Sequence, residues 1–254
     1  MIPPAATLLI DNSNTRTKLA LATAGALPPS PPLVLPTADI SPETIRRTLH
    51  GLAYDRAILC SVAPRAAEIL RAHAGCPVDE VSAAACPQLL RGYAGAATLG
   101  ADRIANAAAA AAYYPLPCVA IDLGTACTFD VVTNAPDGPR FIGGVITPGL
   151  QTLACGPAAH TALLPPTDPT TLRTAEPPRA IGIGTREALC AGLHYGYLGM
   201  LNGVLQSICR ALGQRPCVVL TGGDALPATA EALNADHIDK SLTFKGMLRI
   251  FSTR

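Results

Sequence analysis

Charge is scarce in this sequence: Asp, Glu, Lys and Arg make up 15% of its 254 residues, and the net charge is +1. No basic block or acidic tail breaks that balance. A nucleic-acid partner is therefore not expected, because such binding leaves a clustered basic patch. Long apolar runs are missing too. None approaches the roughly 18–20 residues of a bilayer span, so no membrane partner is expected either. Met1-Ile2-Pro3-Pro4 lacks the basic and apolar regions of a signal peptide, and the expectation is a soluble, cytoplasmic protein. Nine cysteines stand at 60, 76, 86, 118, 127, 155, 190, 209 and 217. They form no Cys-x-x-Cys, and none pairs with histidine at zinc-finger spacing. Free thiols, most of them small buried apolar groups, are expected instead of disulfides or zinc. Two familiar nucleotide signatures are also absent: the Gly-x-x-x-x-Gly-Lys-Ser/Thr phosphate loop and the Gly-x-Gly-x-x-Gly dinucleotide fingerprint.

What is present is material for a sizeable core, 49% of the residues being apolar. The length suits one large domain or two of about 100–150 residues. The most informative stretch runs from Ala120 to Val132: an apolar strand ends in Asp122, Leu123-Gly124-Thr125-Ala126 follows, and an alternating strand returns. Gly124 can adopt backbone angles closed to other residues. Successive N–H groups in such a turn form an anion-binding concavity. Thr125 adds a hydroxyl, and Asp122 can hold a cation. An ordinary glycine hairpin reads as well from these residues alone. A partial copy lies earlier, where Thr7-Leu8-Leu9-Ile10 ends in Asp11-Asn12-Ser13-Asn14-Thr15 and Arg16 to Leu21 returns. Asp, Asn and Ser also serve as plain turn formers. Recurrence after a second apolar strand favours a two-sided phosphate clamp.

The remaining chain alternates strand and helix, which predicts an α/β class. Pro28 to Pro36 reads as an extended surface connection. Ser41-Pro42-Glu43 opens a helix with serine as cap. Ala57 to Ser61 is a strand, Pro64 to Ala74 a helix ended by Gly75, and Val78 to Val81 a short strand. Asp102 and Arg103 start an alanine-rich helix, where an aspartate is stabilised by the helix dipole. The small residues of that helix allow close packing on another helix, a dimer interface being one place for it. Arg140 to Leu150 is a strand with a Pro-Gly turn, and Thr161 to Pro165 leads into a second proline-rich loop. Arg186 to Leu212 is a long helix, with Gly196 or Gly199 as candidate breaks and Thr185 as a candidate cap. Cys217 to Leu220 is a strand, followed by a Gly222-Gly223 turn suited to a flat ligand, and then a helix.

In joint order and spacing, these motifs resemble the type III pantothenate kinases over nearly the whole chain. Asp11-Asn12-Ser13-Asn14-Thr15-Arg16-Thr17-Lys18 is similar to that family's first phosphate motif, Asp-x-Gly-Asn-Thr-x-x-Lys. Gly100-Ala101-Asp102-Arg103, preceded by Tyr93, matches Gly-x-Asp-Arg. Asp122 to Ala126 matches Asp-x-Gly-Thr-Ala, and Gly143 to Gly149 looks like Gly-Gly-x-Ile-x-Pro-Gly. Thr185 matches a substrate-contacting threonine, and Asp239 to Gly246 the C-terminal stretch.

The resemblance implies the architecture of actin, the sugar kinases and the heat-shock ATPases. That means two duplicated actin-like (ribonuclease H-like) α/β domains, residues 1–115 and 116–254, with nucleotide in the cleft between them. It implies ATP-dependent phosphorylation of pantothenate, the first step toward coenzyme A. Asp11, Asn12, Ser13, Asn14, Thr15, Arg16, Thr17, Lys18 and Thr125 are implied ATP contacts. Asp102 is the implied proton acceptor. Tyr93, Gly100, Ala101, Asp102, Arg103 and Thr185 are implied to hold pantothenate. Asp122 is the implied ligand of a monovalent cation, K+ or NH4+, with Mg2+ accompanying ATP. A homodimer is implied as well.

Two residues depart from the pattern. Ser13 stands for the glycine of the first phosphate loop, and Gly95-Ala96 replaces the usual Asn-Pro after the tyrosine, which suggests a more mobile substrate loop. Two other readings use the same fold. One is a non-catalytic ATP-binding accessory protein that influences transcription; the other is a kinase for another small hydroxylated substrate.

Overall fold

The structure, a computed structural model, describes residues 6–173 and 176–252. It divides into two compact units. The first comprises residues 1–114, 134–142 and 241–254; the second comprises 115–133 and 143–240. A single cut after residue 115, as the sequence suggests, therefore misses two later segments that return to the first unit.

The first unit is built on β1 (Ala6–Asn12), β2 (Arg16–Thr23), β3 (Leu33–Pro36), β4 (Arg56–Ser61) and β5 (Val78–Glu80). Their order in the sheet is β3-β2-β1-β4-β5. β1 and β2 form an antiparallel hairpin that pairs Asp11 with Lys18, and β1 runs parallel to β4 with Asp11 opposite Cys60. Alternation places Leu8, Ile10, Leu19 and Leu59 on one face. There they pack with Ile45, Leu49 and Leu70 of α1 (Pro42–Leu49) and α2 (Pro64–His73). Ser41 caps α1 as expected, its hydroxyl accepting from Thr44 N at 3.1 Å. Helices α3 (Ala101–Tyr113) and α7 (Leu242–Phe251) pack against one another and against β4, and α7 also meets β1.

The second unit repeats this plan with β6 (Cys118–Leu123), β7 (Ala126–Ala135), β8 (Gly138–Pro148), β9 (Cys217–Thr221) and β10 (His237–Ile238). Their order, β8-β7-β6-β9-β10, reproduces β3-β2-β1-β4-β5 strand for strand. Asp122 lies opposite Thr128 on the hairpin partner and Thr221 on the parallel partner, as Asp11 lies opposite Lys18 and Cys60. Val119, Ile121, Phe129 and Leu220 pack on Tyr197, Leu201 and Leu205 of α5 (Thr185–Leu212). The crossovers carry α4 (Leu150–His160) and α5 before β9, and α6 (Pro227–Ala232) before β10. Among the described residues, no helix is long and apolar enough to cross a membrane.

Several local expectations change. The proline-rich connection contains β3, an edge strand paired to β2 through Leu33–Leu19 and Arg16–Pro36. The Pro-Gly turn after Pro148 opens a helix, α4, with Gly149 as its cap. Helix α5 runs unbroken through Gly196 and Gly199, its cap is Gly184, and Thr185 is its first helical residue. The alanine-rich α3 packs on α7 of its own unit: a Cβ added at Gly246 would stand 1.8 Å from the carbonyl oxygen of Ala105. All nine cysteines are free thiols.

Candidate active site

In the first unit, β1 buries Leu8, Leu9 and Ile10 and delivers Asp11 and Asn12, both buried, at its carboxyl end. The chain turns through Ser13, Asn14 and Thr15, closed by Ser13 N donating to Arg16 O at 3.0 Å. Among the described residues, only Ala24 and Asn234 combine a side chain with positive φ. The serine at 13 is thus accommodated without the left-handed backbone that would demand glycine. Lys18 Nζ meets Asp11 Oδ2 at 3.0 Å, joining the two ends of the motif across the hairpin. Asn12 Nδ2 donates to Thr17 Oγ1 at 2.7 Å and Ser61 Oγ donates to Asn12 Oδ1 at 2.6 Å, so the buried amide is satisfied on both sides.

Asp102 sits in the first turn of α3, whose cap, Gly100, makes no side-chain bond. Asp102 Oδ1 accepts from Arg103 N at 2.8 Å. A Cβ at Gly100 would lie 2.6 Å from that oxygen, so the glycine of Gly-x-Asp-Arg makes room for the carboxylate. Burial raises the Asp102 pKa above the ordinary carboxylate value. The Arg103 N–H and guanidinium oppose that shift, and the negative charge of Asp11 reinforces it. Asp11 and Asp102 are therefore close enough to feel one another's charge. A carboxylate whose pKa is pushed up by burial is the stronger base in its ionised form, which suits a proton acceptor.

Phe141 lies between the next two candidate residues. Its ring meets Tyr93 edge-on, with centroids 4.9 Å apart, and the Arg103 guanidinium stands 5.8 Å from its centroid. Its backbone N–H donates to Leu89 O at 2.9 Å. The residue is buried, and it comes from the β7–β8 hairpin whose tip belongs to this unit. Sequence reasoning missed it because only tertiary structure brings residue 141 beside residues 93 and 103. Gly95 presses on the Tyr93 ring: an added Cβ would meet Cε1 at 3.0 Å. The following residues form a short 3-10 turn, with Thr98 Oγ1 bonded to Gly95 O.

In the second unit, Asp122 stands next to last in β6 and the turn closes with Gly124 N donating to Ala126 O at 3.2 Å. Helix α4 begins against this turn. Gly149 N and Thr152 Oγ1 both donate to the Thr125 carbonyl, at 3.1 and 3.0 Å. A Cβ at Gly149 would stand 2.0 Å from Gly124 O. On its other side, Asp122 abuts the Gly222 turn, where φ is +90° and an added Cβ would come within 2.5 Å of Asp122 Oδ1. Lys240 Nζ donates to Gly222 O at 3.0 Å. Oxygen donors such as the Asp122 carboxylate suit hard cations. Among the described residues, no group of three or more His, Cys, Asp or Glu gathers to hold a metal ion. Thr185 is exposed at the start of α5, behind a loop in which Ile183 N donates to Glu187 Oε2 at 3.1 Å. The candidate residues thus fall into two groups, Asp11 to Lys18 with Tyr93 and Gly100 to Arg103 on one unit, and Asp122, Thr125 and Thr185 on the other.

The chain is 21% identical to a conserved Baf family protein from Campylobacter jejuni, described as a transcriptional activator, with a TM-score of 0.59 over 97% of this chain and 98% of that one. It also matches the inorganic polyphosphate/ATP-glucomannokinase of Arthrobacter sp. strain KM, with a TM-score of 0.50 and 13% identity over 98% and 100% of the two chains. Together with the duplicated sheets, these likenesses make the fold that of the actin-like ATPases and sugar kinases. The type III pantothenate kinase of Akkermansia muciniphila is 43% identical over 242 residues, covering 94% of this chain and 96% of that protein. Residues 7–207 match the sequence profile of the same family. The chain belongs to the type III pantothenate kinase family.

Proposed function

We propose that this chain transfers the γ-phosphoryl group of ATP to the hydroxyl of pantothenate, with Asp102 as the proton acceptor. Family membership carries the reaction. The observation that supports the assignment of Asp102 is its setting: a carboxylate raised by burial, fixed by Arg103 N at 2.8 Å, within electrostatic reach of the first phosphate loop.

Phosphoryl transfer is mostly a matter of positioning and charge stabilisation. In this reading the loop from Asp11 to Lys18 and the hydroxyl of Thr125 hold the phosphates. Tyr93, Gly100, Ala101, Arg103 and Thr185 hold pantothenate, Arg103 offsetting its carboxylate. Phe141 joins this set as the residue that fixes Tyr93 and Arg103. The Asp102 carboxylate takes the hydroxyl proton as the oxygen bonds to the γ-phosphorus, and the bond from that phosphorus to the bridging oxygen of ADP breaks. Asp122 with neighbouring oxygens would hold K+ or NH4+, whose charge offsets the phosphates, and Mg2+ arrives with ATP. A homodimer and a cytoplasmic location complete the proposal.

The test is coupled ADP release. The wild-type protein should release ADP only when both pantothenate and a monovalent cation are present. ADP release that ignores pantothenate contradicts the reading.

A further inference from the structure

The residue that aims the first phosphate loop lies outside every motif discussed so far. Thr37 follows β3, and its hydroxyl reaches the loop from behind. Thr37 Oγ1 lies 2.7 Å from Ser13 O and 2.9 Å from Thr17 Oγ1. Its backbone N–H donates to Thr15 O at 3.0 Å. These contacts fix the direction of a whole chain of hydrogen bonds. A carbonyl only accepts, so Thr37 spends its single proton on Ser13 O. It must then accept from Thr17, whose own oxygen accepts the Asn12 amide at 2.7 Å. Asn12 Oδ1 in turn accepts from Ser61 Oγ at 2.6 Å. The sequence Ser61, Asn12, Thr17, Thr37, Ser13 runs one way, and Asn12 and Thr17 are fully buried within it.

The chain ends on a peptide plane. Among the described residues the one cis bond is Leu116–Pro117, so the Ser13–Asn14 peptide is trans. In a trans peptide C=O and N–H point in opposite directions. With its carbonyl tied to Thr37, the plane turns the Asn14 N–H away from Thr37, at the exposed tip of the hairpin. The neighbouring Ser13 N–H is already spent on Arg16 O at 3.0 Å. The second unit also ties a turn carbonyl: Thr125 O accepts from Gly149 N and Thr152 Oγ1, the Gly149 bond being the counterpart of Thr37 N on Thr15 O.

The geometry points to Thr37 as a positioning residue that presents the Asn14 N–H to the phosphates of ATP. It thereby supplies the orientation that a serine in place of the loop glycine leaves to tertiary contacts. This rests on the reading of the loop as the ATP phosphate site. Thr37→Val keeps the shape and removes the hydroxyl. It strands Ser13 O and the Thr17 proton and should raise KM for ATP about tenfold, the factor that 1.4 kcal/mol represents. KM for pantothenate should stay within about twofold, because only an ATP-side group is misaimed. Thr37→Ser restores the donor and should recover most of the loss. An unchanged KM for ATP in Thr37→Val overturns the inference, as does a Thr37→Ser variant as impaired as the valine. If valine prevents folding, the wild-type protein serves: its Asn14 amide resonance should move on titration with Mg-ATP, and a stationary resonance overturns the inference. Wild-type turnover in the same experiment separates this from the parent reading, which fails only if pantothenate-dependent ADP release is absent.

Discussion

Replacing Gly246 by alanine sets two known effects against each other, and the structure decides between them. Alanine in a helix interior is better than glycine by about 1 kcal/mol, so on propensity alone the substitution stabilises α7. The added Cβ, however, would lie 1.8 Å from Ala105 O, 2.5 Å from Ala105 C and 2.9 Å from its Cα. Favourable contact begins near 3.5 Å. The obstacle is helix backbone, which cannot swing aside as a side chain would. Helices α3 and α7 must part by more than 1 Å, on the order of the shortfall from contact distance. That strains the buried bond from Thr243 Oγ1 to Asn106 Oδ1, now 2.9 Å, and loosens Met247 and Ile250 from their neighbours. Overpacking costs about 1–3 kcal/mol, and a backbone clash belongs at the upper end. The net loss is about 2 kcal/mol, or a fall in Tm of about 4–8 °C for a chain of this size. Thermal unfolding followed by circular dichroism measures it. Because α3 carries Asp102 in its first turn, KM for pantothenate should rise in the same variant. A Tm unchanged within about 1 °C, or raised, would refute this account of the helix pair.

Phe141→Leu removes the ring that Tyr93 and Arg103 share. Aromatic and cation–π contacts are worth about 0.5–1.5 kcal/mol each, so KM for pantothenate should rise about three- to tenfold with KM for ATP unmoved; equal shifts in both constants would contradict the placement. The raised Asp102 pKa has two consequences of opposite sign. As proton acceptor Asp102 must be ionised, so kcat/KM should fall as pH drops through a value above the ordinary aspartate range, visible as an acid limb in the pH–rate profile that disappears in Asp102→Asn. For stability, the unfolded chain ionises this group at lower pH than the folded one does. The penalty is thus absent below the unfolded pKa and complete above the folded pKa. Asp102→Asn should therefore unfold at a higher temperature than wild type at neutral pH, with the difference vanishing as pH falls below the unfolded value.

The hairpins bearing Asp11 and Asp122 were legible because an apolar run, a carboxylate and a small-residue turn are local features. The unbroken α5 was legible in extent, its glycines at 196 and 199 being tolerated where tertiary packing outweighs propensity. Other parts were hidden for physical reasons. Helix α4 buries only Leu150 and Ala154 and carries Pro157, so its sequence shows almost no period. Strand β3 hides among prolines that an edge position tolerates. The alanine run of α3 announced close packing but not its partner, because Gly246 lies 141 positions after Ala105 and only folding joins them. Thr37 and Phe141 act through contacts across 24 and 48 positions, to Ser13 and Tyr93, which no local pattern encodes. Ser13 reads as a defect in sequence. In the structure its backbone is ordinary and its carbonyl is held.

The central claim is that Asp102 accepts the substrate proton. Asp102→Asn keeps the shape and removes the base, and it should bind ATP as wild type does in calorimetry. Its pantothenate-dependent ADP release should fall by about 10²–10⁴-fold, the usual contribution of a general base. A wild-type rate of ADP release from Asp102→Asn would contradict the account.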